Sequence, residues 1–307
     1  GETCASAYLL TLLDELLQQE QKSFYGDLME RIVYNTLFAA QSPDGRRLRY
    51  YTAIDGPRSY WKNDVYCCPN NFRRIVSELP GLIAYRRGQG LAFNLYSACT
   101  LETRAAGTVP LAVQVETDYP ASGTVDIRLD PARPATFPIW LRIPRWCARA
   151  AVSVNGRPIK KAAAAGAFLT IRRTWKPGDE VHLELPMAWR WIKGRQAQAG
   201  RAALMRGPVV FCLNPARHPD LAGANLRKLA LIPDSIEGPF PDETVRPGGL
   251  KARVAGWKPG VHANIGVAKP NLVVELTEFP DAGGEATYFC VANPADPRLE
   301  DDELFGA

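Results

Sequence analysis

Several kinds of segment are missing from this 307-residue sequence. No apolar run approaches the roughly 20 residues needed to span a bilayer, so we expect no membrane partner. No basic run is interleaved with aromatic residues, although the net charge is +5, so we expect no nucleic-acid partner. No basic and apolar leader begins the chain. Gly1 already lies in a segment typical of a folded domain, and we expect the natural N-terminus to lie elsewhere.

Cysteine is also too scarce for a disulfide framework, because seven cysteines in a chain of this length are few and odd in number. Four of them stand alone in apolar, strand-like segments, which predicts buried free thiols. This usage favours a reducing compartment, and we expect a cytoplasmic protein. The four isolated cysteines are Cys99, Cys147, Cys212 and Cys290.

The segment 1–82 is predicted to be helical. Ala7, Leu10, Leu13 and Leu17 recur at three- and four-residue spacing, which indicates an amphipathic helix over 4–21. The pattern repeats over 26–40 and ends at "SPDG". A third helix is predicted over "FRRIVSEL", with Asn71 as its N-cap.

After residue 82 the pattern is that of strands separated by turns such as "NGRP" and "KPGDE". It predicts one antiparallel β-sandwich over 83–188 and a second over 189–285. Within the second, the Pro-, Gly- and Asp-rich section 233–270 predicts long loops or an insertion. The segment 286–307 is predicted to return a strand to the first sandwich and to end in an exposed acidic tail.

Four residues could form a metal site: Glu2, Cys4, Cys67 and Cys68. The spacing E-x-C at a helix start lets two side chains converge from one turn, and the adjacent pair before Pro69 could supply two more. Zinc accepts thiolate and carboxylate ligands and is usually four-coordinate. Three alternatives stay open on spacing alone: unpaired thiols, a strained vicinal disulfide, and a redox dithiol.

A catalytic thiol is the further possibility for Cys67, because it precedes a helix whose dipole favours thiolate. Thiolates are nucleophiles for acyl or glycosyl transfer. A Cys–His hydrolase is disfavoured, since the sequence places its histidines far from the pair, in β-rich or loop segments. These histidines are His182, His218 and His262.

Longer segments carry a family resemblance. "ETCA", "ERIVYNTLFAAQSPDGRRLRYY" and "CCPNNFRRIVSELPGLIA", in that order, resemble the β-L-arabinofuranosidases of glycoside hydrolase family 127, also called DUF1680. "FPIWLRIPRWC", "FLTIRRTWKPGDEVHLELPM" and "MRGPVVFCL" are similar to that family's β-sandwich segments. The resemblance implies an α+β multidomain fold. The region 1–82 would be the C-terminal part of an (α/α)6 barrel, followed by two antiparallel β-sandwich domains.

The resemblance also implies a chemistry. Glu2, Cys4, Cys67 and Cys68 would hold a zinc ion, and Cys67 would be the nucleophile of a retaining mechanism on β-L-arabinofuranosides. L-Arabinose would be released through a cysteine thioglycosyl intermediate. Tyr50, or its neighbour Tyr51, matches by position a tyrosine that contacts the sugar.

Two departures from the family pattern qualify these expectations. Asn70 stands where the family has a second proline. The family's acid/base glutamate would lie upstream of Gly1, and Glu15, Glu20 and Glu30 are predicted to lie on exposed helix faces. We therefore expect this chain to be inactive alone. Its expected partners are an arabinofuranoside glycan and either the missing barrel half or a second copy at the exposed barrel face. The alternative is a non-catalytic, zinc-stapled β-sandwich module for glycan binding or dimerisation.

Overall fold

The computed structural model describes residues 1–63, 66–160, 163–259, 269–291 and 293–305. Four α-helices lie in the described part of the first 78 residues: α1 (Thr3–Glu20), α2 (Ser23–Arg31), α3 (Phe38–Ala40) and α4 (Cys67–Glu78), with a π-helical segment, Ile32–Leu37, between α2 and α3. Ten strands follow: β1 (Ala84–Arg87), β2 (Gly90–Phe93), β3 (Cys99–Ala105), β4 (Val109–Glu116), β5 (Thr124–Pro131), β6 (Ala135–Ile143), β7 (Ala151–Val154), β8 (Arg157–Pro158), β9 (Ala167–Trp175) and β10 (Asp179–Glu184). The remaining strands are β11 (Trp189–Lys193), β12 (Arg201–Arg206), β13 (Val209–Leu213), β14 (Ala230–Leu231), β15 (Glu237–Pro241), β16 (Leu250–Trp257), β17 (Leu272–Glu278), β18 (Tyr288–Val291) and β19 (Leu299–Glu300).

This order confirms the α+β class with helices first and sheets after. The barrel and sandwich assignments stay predictions. By its internal contacts the chain divides into two compact units, one formed by 9–30 and 73–187 and the other by 1–8, 31–72 and 188–307. Among the described residues no helix is long and apolar enough to cross a membrane.

Helix α1 follows the predicted pattern. Ala7, Leu10, Leu13 and Leu17 are all buried, so the stripe read from the sequence is the packed face. The helix also exposes Tyr8, Leu9 and Leu12, which are apolar residues outside that stripe.

The unit containing 73–187 holds two sheets. One has four strands in the order β1-β2-β6-β9, and the other has six in the order β3-β4-β5-β10-β7-β8. Strand β4 buries every second residue, as expected for a sheet with one packed face. Its buried residues are Val109, Leu111, Val113 and Val115.

Helix α2 belongs to the same unit and corrects the expectation for Glu30. Glu30 is 1% exposed, not on a solvent face. Arg142 of β6 donates to its carboxylate at 2.7 Å and to Asp27 at 2.5 Å, and Tyr119 and Trp146 also donate to Glu30. A carboxylate can be buried when a cation and hydrogen-bond donors meet it, and Arg142 lies 112 residues further along the chain.

The other unit holds a nine-stranded sheet whose main order is β13-β17-β16-β14-β18-β12-β11-β19, with β15 paired to β16 and β13 paired back to β12. The sequence had predicted that the segment 286–307 returns a strand to the first sandwich. This prediction was wrong, because strand β18 pairs with β12 and β14 of the nine-stranded sheet. The section 233–270 is also more regular than expected, because β15 and β16 lie in it; residues 260–268 are outside the described residues.

The acidic C-terminal segment is not an exposed tail. Arg31 pairs with Asp302 and with Glu303, each at 2.6 Å, and Arg190 pairs with Glu303 at 3.0 Å. Leu304 is buried. Asp302 and Glu303 are thus held by two arginines distant in sequence, which composition alone does not reveal.

Candidate metal and active site

The four predicted ligand residues lie together. One ligand atom from each of Glu2, Cys4, Cys67 and Cys68 lies within 4.8 Å of every other. The Cys4 sulfur is 3.1 Å from that of Cys67 and 3.3 Å from that of Cys68. All three thiols are free, so the doublet is not a vicinal disulfide. Cys4 and Cys68 are buried, whereas Cys67 is exposed.

Backbone pairing fixes the start of the chain beside residues 49–52. Glu2 forms an isolated antiparallel bridge with Tyr51, and the Thr3 amide donates to the Tyr50 carbonyl at 3.0 Å. Arg49, fully buried, anchors this segment: its guanidinium donates to the carbonyl of Ala39 and, at 2.8 Å, to that of Ala282. This pairing therefore positions Glu2, just before helix α1, and Cys4, in the first turn of that helix.

Helix α4 supplies the other two thiols, and it corrects the expected N-cap. The helix begins at Cys67, four residues before Asn71, because Pro69 falls in the first turn, where a missing amide proton costs nothing. Asn71 instead lies one turn after Cys67 and donates from Nδ2 to the Cys4 sulfur at 3.3 Å. This contact was not predicted from the sequence. The i, i+4 spacing of Cys67 and Asn71 could have indicated it, because this spacing places both residues on the helix face that meets the cluster.

The cluster fits a zinc ion. Three sulfurs and one carboxylate form a donor set that zinc accepts, and tetrahedral Zn–S bonds of about 2.3 Å would set the sulfurs about 3.8 Å apart. The observed separations of 3.1 and 3.3 Å are shorter, so the sulfurs would have to move apart by roughly 0.5 to 0.7 Å. Harder cations such as Mg²⁺ or Ca²⁺ prefer oxygen ligands and suit this set poorly.

Burial keeps the inner thiols protonated in the absence of a cation. It raises the pKa of Cys68 to about 12, with a further contribution from the hydrogen bond with Cys4. Burial likewise raises the pKa of Cys4. A cation at the cluster would have to displace these protons, since thiolate is the form that binds metals.

Aromatic rings stand beside the cluster. The Tyr50 ring lies 5.1 Å from that of Trp61 and 6.1 Å from that of Tyr66, and 4.7 Å from that of Tyr51. A hydrogen bond with the Glu2 carboxylate raises the pKa of Tyr50 to about 12. Of the two candidate tyrosines, Tyr50 is therefore the one whose side chain interacts with a ligand side chain of the cluster, whereas Tyr51 pairs with Glu2 through its backbone. Tyr51 is 62% exposed.

The histidines do not join the thiols. His182 contacts Asp126 at 2.7 Å, His218 lies 3.2 Å from the backbone amide of Glu275, and His262 lies outside the described residues. The four isolated cysteines are free, as predicted. Cys147 and Cys212 are buried, and Cys99 and Cys290 are half-buried.

Comparison with known proteins gives two consecutive matches to models of one family. Residues 1–81 match the β-L-arabinofuranosidase GH127 catalytic domain, and residues 90–187 match the GH127 middle domain. A curated relative, the non-reducing end β-L-arabinofuranosidase of Bifidobacterium longum subsp. longum, is 29% identical over 245 residues. That alignment covers 71% of this chain and 36% of the relative.

Solved structures agree with this assignment. A GH127 β-L-arabinofuranosidase from Geobacillus stearothermophilus T6 superposes with a TM-score of 0.81 at 27% identity, covering 94% of this chain and 50% of that one. A second GH127 β-arabinofuranosidase shares the fold with a TM-score of 0.80 at 24% identity, covering 98% and 50%. The chain thus spans about half the length of these structures and about a third of the curated relative. With both family models matched in order along its first 187 residues, the chain belongs to glycoside hydrolase family 127.

Proposed function

We propose that this chain carries the nucleophile and metal ligands of a retaining glycoside hydrolase that releases L-arabinose from β-L-arabinofuranosides. The exposure pattern of the thiols carries the proposal: Cys4 and Cys68 are buried, whereas Cys67 is open to solvent at the start of α4. The names of the curated relative and of the solved structures support the substrate class.

Glu2, Cys4, Cys67 and Cys68 would hold a zinc ion. Bound zinc would keep the thiols ionised at neutral pH. Glu2 is oriented for this role by its hydrogen bond with Tyr50. Asn71 is oriented to stabilise negative charge on the Cys4 sulfur, since it donates to that atom.

The residues of this chain would act in a double displacement. The Cys67 sulfur attacks the anomeric carbon and forms a C–S bond as the glycosidic C–O bond breaks, and the leaving oxygen takes a proton from an acid. Water then attacks the same carbon, which returns the thiol and gives arabinose with retained configuration. The rings of Tyr50 and Trp61, 5.1 Å apart, would contact the sugar.

The proton donor is expected from polypeptide outside this chain. The carboxylates of its helices are poor candidates: Glu30 is occupied by Arg142, and Glu20 is paired with Lys22 at 2.6 Å. We expect no turnover from this chain alone. The exposed Tyr8, Leu9 and Leu12 of α1 are the surface at which an upstream barrel half, or a second copy, would pack.

A Cys67→Ser substitution tests the role of the thiol, measured as L-arabinose release from an aryl β-L-arabinofuranoside by the enzyme completed with its upstream half. The rate should fall at least about a thousandfold while the melting temperature stays close to that of the parent. Cys290→Ser, at a half-buried free thiol of β18, is the control and should retain the rate. Retained turnover in the Cys67 variant would contradict the proposal. A large drop in the melting temperature of the Cys67 variant would instead favour the alternative of a non-catalytic module in which zinc has a structural role.

Metal analysis tests the cofactor. The reduced chain should carry one zinc, and Cys68→Ser should remove most of it, because a buried thiolate ligand is lost. The same control, Cys290→Ser, should retain one zinc. A chain that binds no zinc and reversibly joins Cys67 to Cys68 would be a redox dithiol.

A further inference from the structure

One face of the four-stranded sheet carries a cavity of about 290 Å³ that does not include the thiol cluster. The register places its wall residues side by side. Trp140 of β6 is opposite Thr170 of β9, and Phe168 lies two residues before Thr170 on the same face. Gln21 and Lys22, in the turn between α1 and α2, and Ser23 and Phe24, at the start of α2, also line the cavity.

The wall is cationic. Lys22, Arg87 and Arg145 line the cavity, and no carboxylate is among its lining residues. Lys22 pairs with Glu20, and Arg145 Nε is 3.9 Å from Asp27. Both of these cations therefore have an acidic neighbour.

Arg87 differs, because it has neither an ion pair nor a side-chain hydrogen bond within the described part of the chain. Its guanidinium carbon lies 4.7 Å from the centre of the Trp140 ring and 5.9 Å from that of Phe168. Partial burial lowers the pKa of Arg87, as expected for a cation that lacks an anion. Its N–H groups are thus available to a ligand, and a guanidinium presents them in a fork that matches a carboxylate.

Two further polar groups at this cavity lack a hydrogen-bond partner in the described chain. Ser23 is 4% exposed, and its hydroxyl makes no hydrogen bond in the described chain. The Nε of Arg145 is likewise buried without a hydrogen-bond acceptor. Buried polar groups are seldom left unpaired, because each one costs free energy, so a ligand oxygen would relieve this cost. Gly166, at φ +72°, makes room here: a Cβ on it would come within 2.9 Å of Arg145 Cγ.

We propose that this cavity binds an acidic sugar unit, with the carboxylate on Arg87 and the sugar ring against the aromatic wall. The aromatic rings supply apolar surface that a bare anion would leave unused, and Gln21 and Thr170 supply polar groups for hydroxyls. The volume is at the lower end for ligand pockets and suits a single sugar ring.

A neighbouring cavity extends the site. Its volume is about 280 Å³, and it shares Gln21, Arg87 and Phe168 with the first. Arg87 therefore lies between two spaces, and the second one, with Gln18 and Tyr85, has room for an adjoining sugar. The ligand class is an acidic oligosaccharide. If the acidic sugar is part of a glycan substrate, its binding here would hold that substrate on the protein, and this role rests on the proposed function. The binding of an acidic sugar to the cavity does not rest on it.

Calorimetric titration of the 307-residue chain with glucuronate, glucose, acetate and inorganic phosphate tests the site. Saturable glucuronate binding is expected, at least tenfold tighter than that of the other three. Arg87→Gln should weaken it at least tenfold, and Arg87→Lys, which keeps the charge but loses the fork, should weaken it less. Arg104→Gln, at an exposed arginine of β3, should have no effect.

Phosphate or acetate binding as tight as that of glucuronate would show a site for anions without sugar recognition. Glucose binding as tight as that of glucuronate would show that Arg87 plays no part. Either result overturns the proposal, and so does the absence of glucuronate binding. Circular dichroism of each variant confirms folding. Cys67→Ser should retain glucuronate binding. The proposal of a sugar site can therefore be contradicted while that of Cys67-dependent hydrolysis is upheld, and the reverse is also possible.

Discussion

Asn71 donates a hydrogen bond from its Nδ2 to the sulfur of Cys4, 3.3 Å away. The bond joins helix α4 to the thiol at the start of α1, and it points a donor at an atom that metal binding would make anionic. Donors around metal ligands fix their orientation and stabilise their charge. Asn71 is therefore a positioning residue for the cluster.

Asn71→Ala should weaken zinc binding by about tenfold, since loss of such partners costs about 10- to 100-fold in metal affinity. Competition with a chromophoric chelator measures the change. Asn70→Ala is the matched control, because Asn70 is the exposed neighbour in the same helical turn. If the two variants bind zinc equally well, the contact with Cys4 is incidental.

Tyr50→Phe should lower zinc affinity, because it removes the hydroxyl that is hydrogen-bonded to Glu2 while keeping the ring beside Trp61. Partners that orient a metal ligand are typically worth about tenfold or more in metal affinity, so a loss of about tenfold is expected. The same chelator competition applies. Tyr51→Phe, at a 62% exposed ring, should change little. A larger effect at Tyr51 would reverse the assignment of the two tyrosines.

Asp27 should make stability depend on pH. Burial raises its pKa to about 7, from 3.8, and Glu30 adds to the rise although Arg142 opposes it. The folded state then holds a proton that the unfolded state releases at lower pH, so this contribution to stability is full below about pH 4 and is lost as pH rises towards and through 7.

Asp27→Asn should flatten that dependence, as measured by urea denaturation between pH 4 and 8. Glu102→Gln, at an exposed carboxylate of β3, serves as the control and should keep the parent slope. If Asp27→Asn leaves the pH dependence of the free energy of unfolding unchanged, the buried, protonated state of Asp27 is contradicted.

Local patterns were enough to predict the helical stripe of α1 and the grouping of Glu2 with three cysteines. Both depend on spacing within one or two elements. The sequence was also enough to place Tyr50 near the site, although only the structure distinguishes it from Tyr51 by the hydrogen bond with Glu2.

The predictions that were wrong have a different cause, because each feature depends on a partner far along the chain or on the exact start of a helix. Glu30 is buried because Arg142 meets it, and the acidic segment is held because Arg31 pairs with Asp302 and Glu303. Asn71 was expected as an N-cap because it is a good one, but the helix already begins at Cys67.

Peptide mass spectrometry tests the central claim most directly. The enzyme completed with its upstream half would be incubated with an activated β-L-arabinofuranoside whose sugar is modified to slow the second displacement, and then digested. The account predicts that the sugar's mass is added to the peptide at Cys67, and that Cys67→Ser abolishes the adduct while Cys290→Ser retains it. An adduct at a carboxylate or at another thiol would contradict the assignment of Cys67 as the nucleophile.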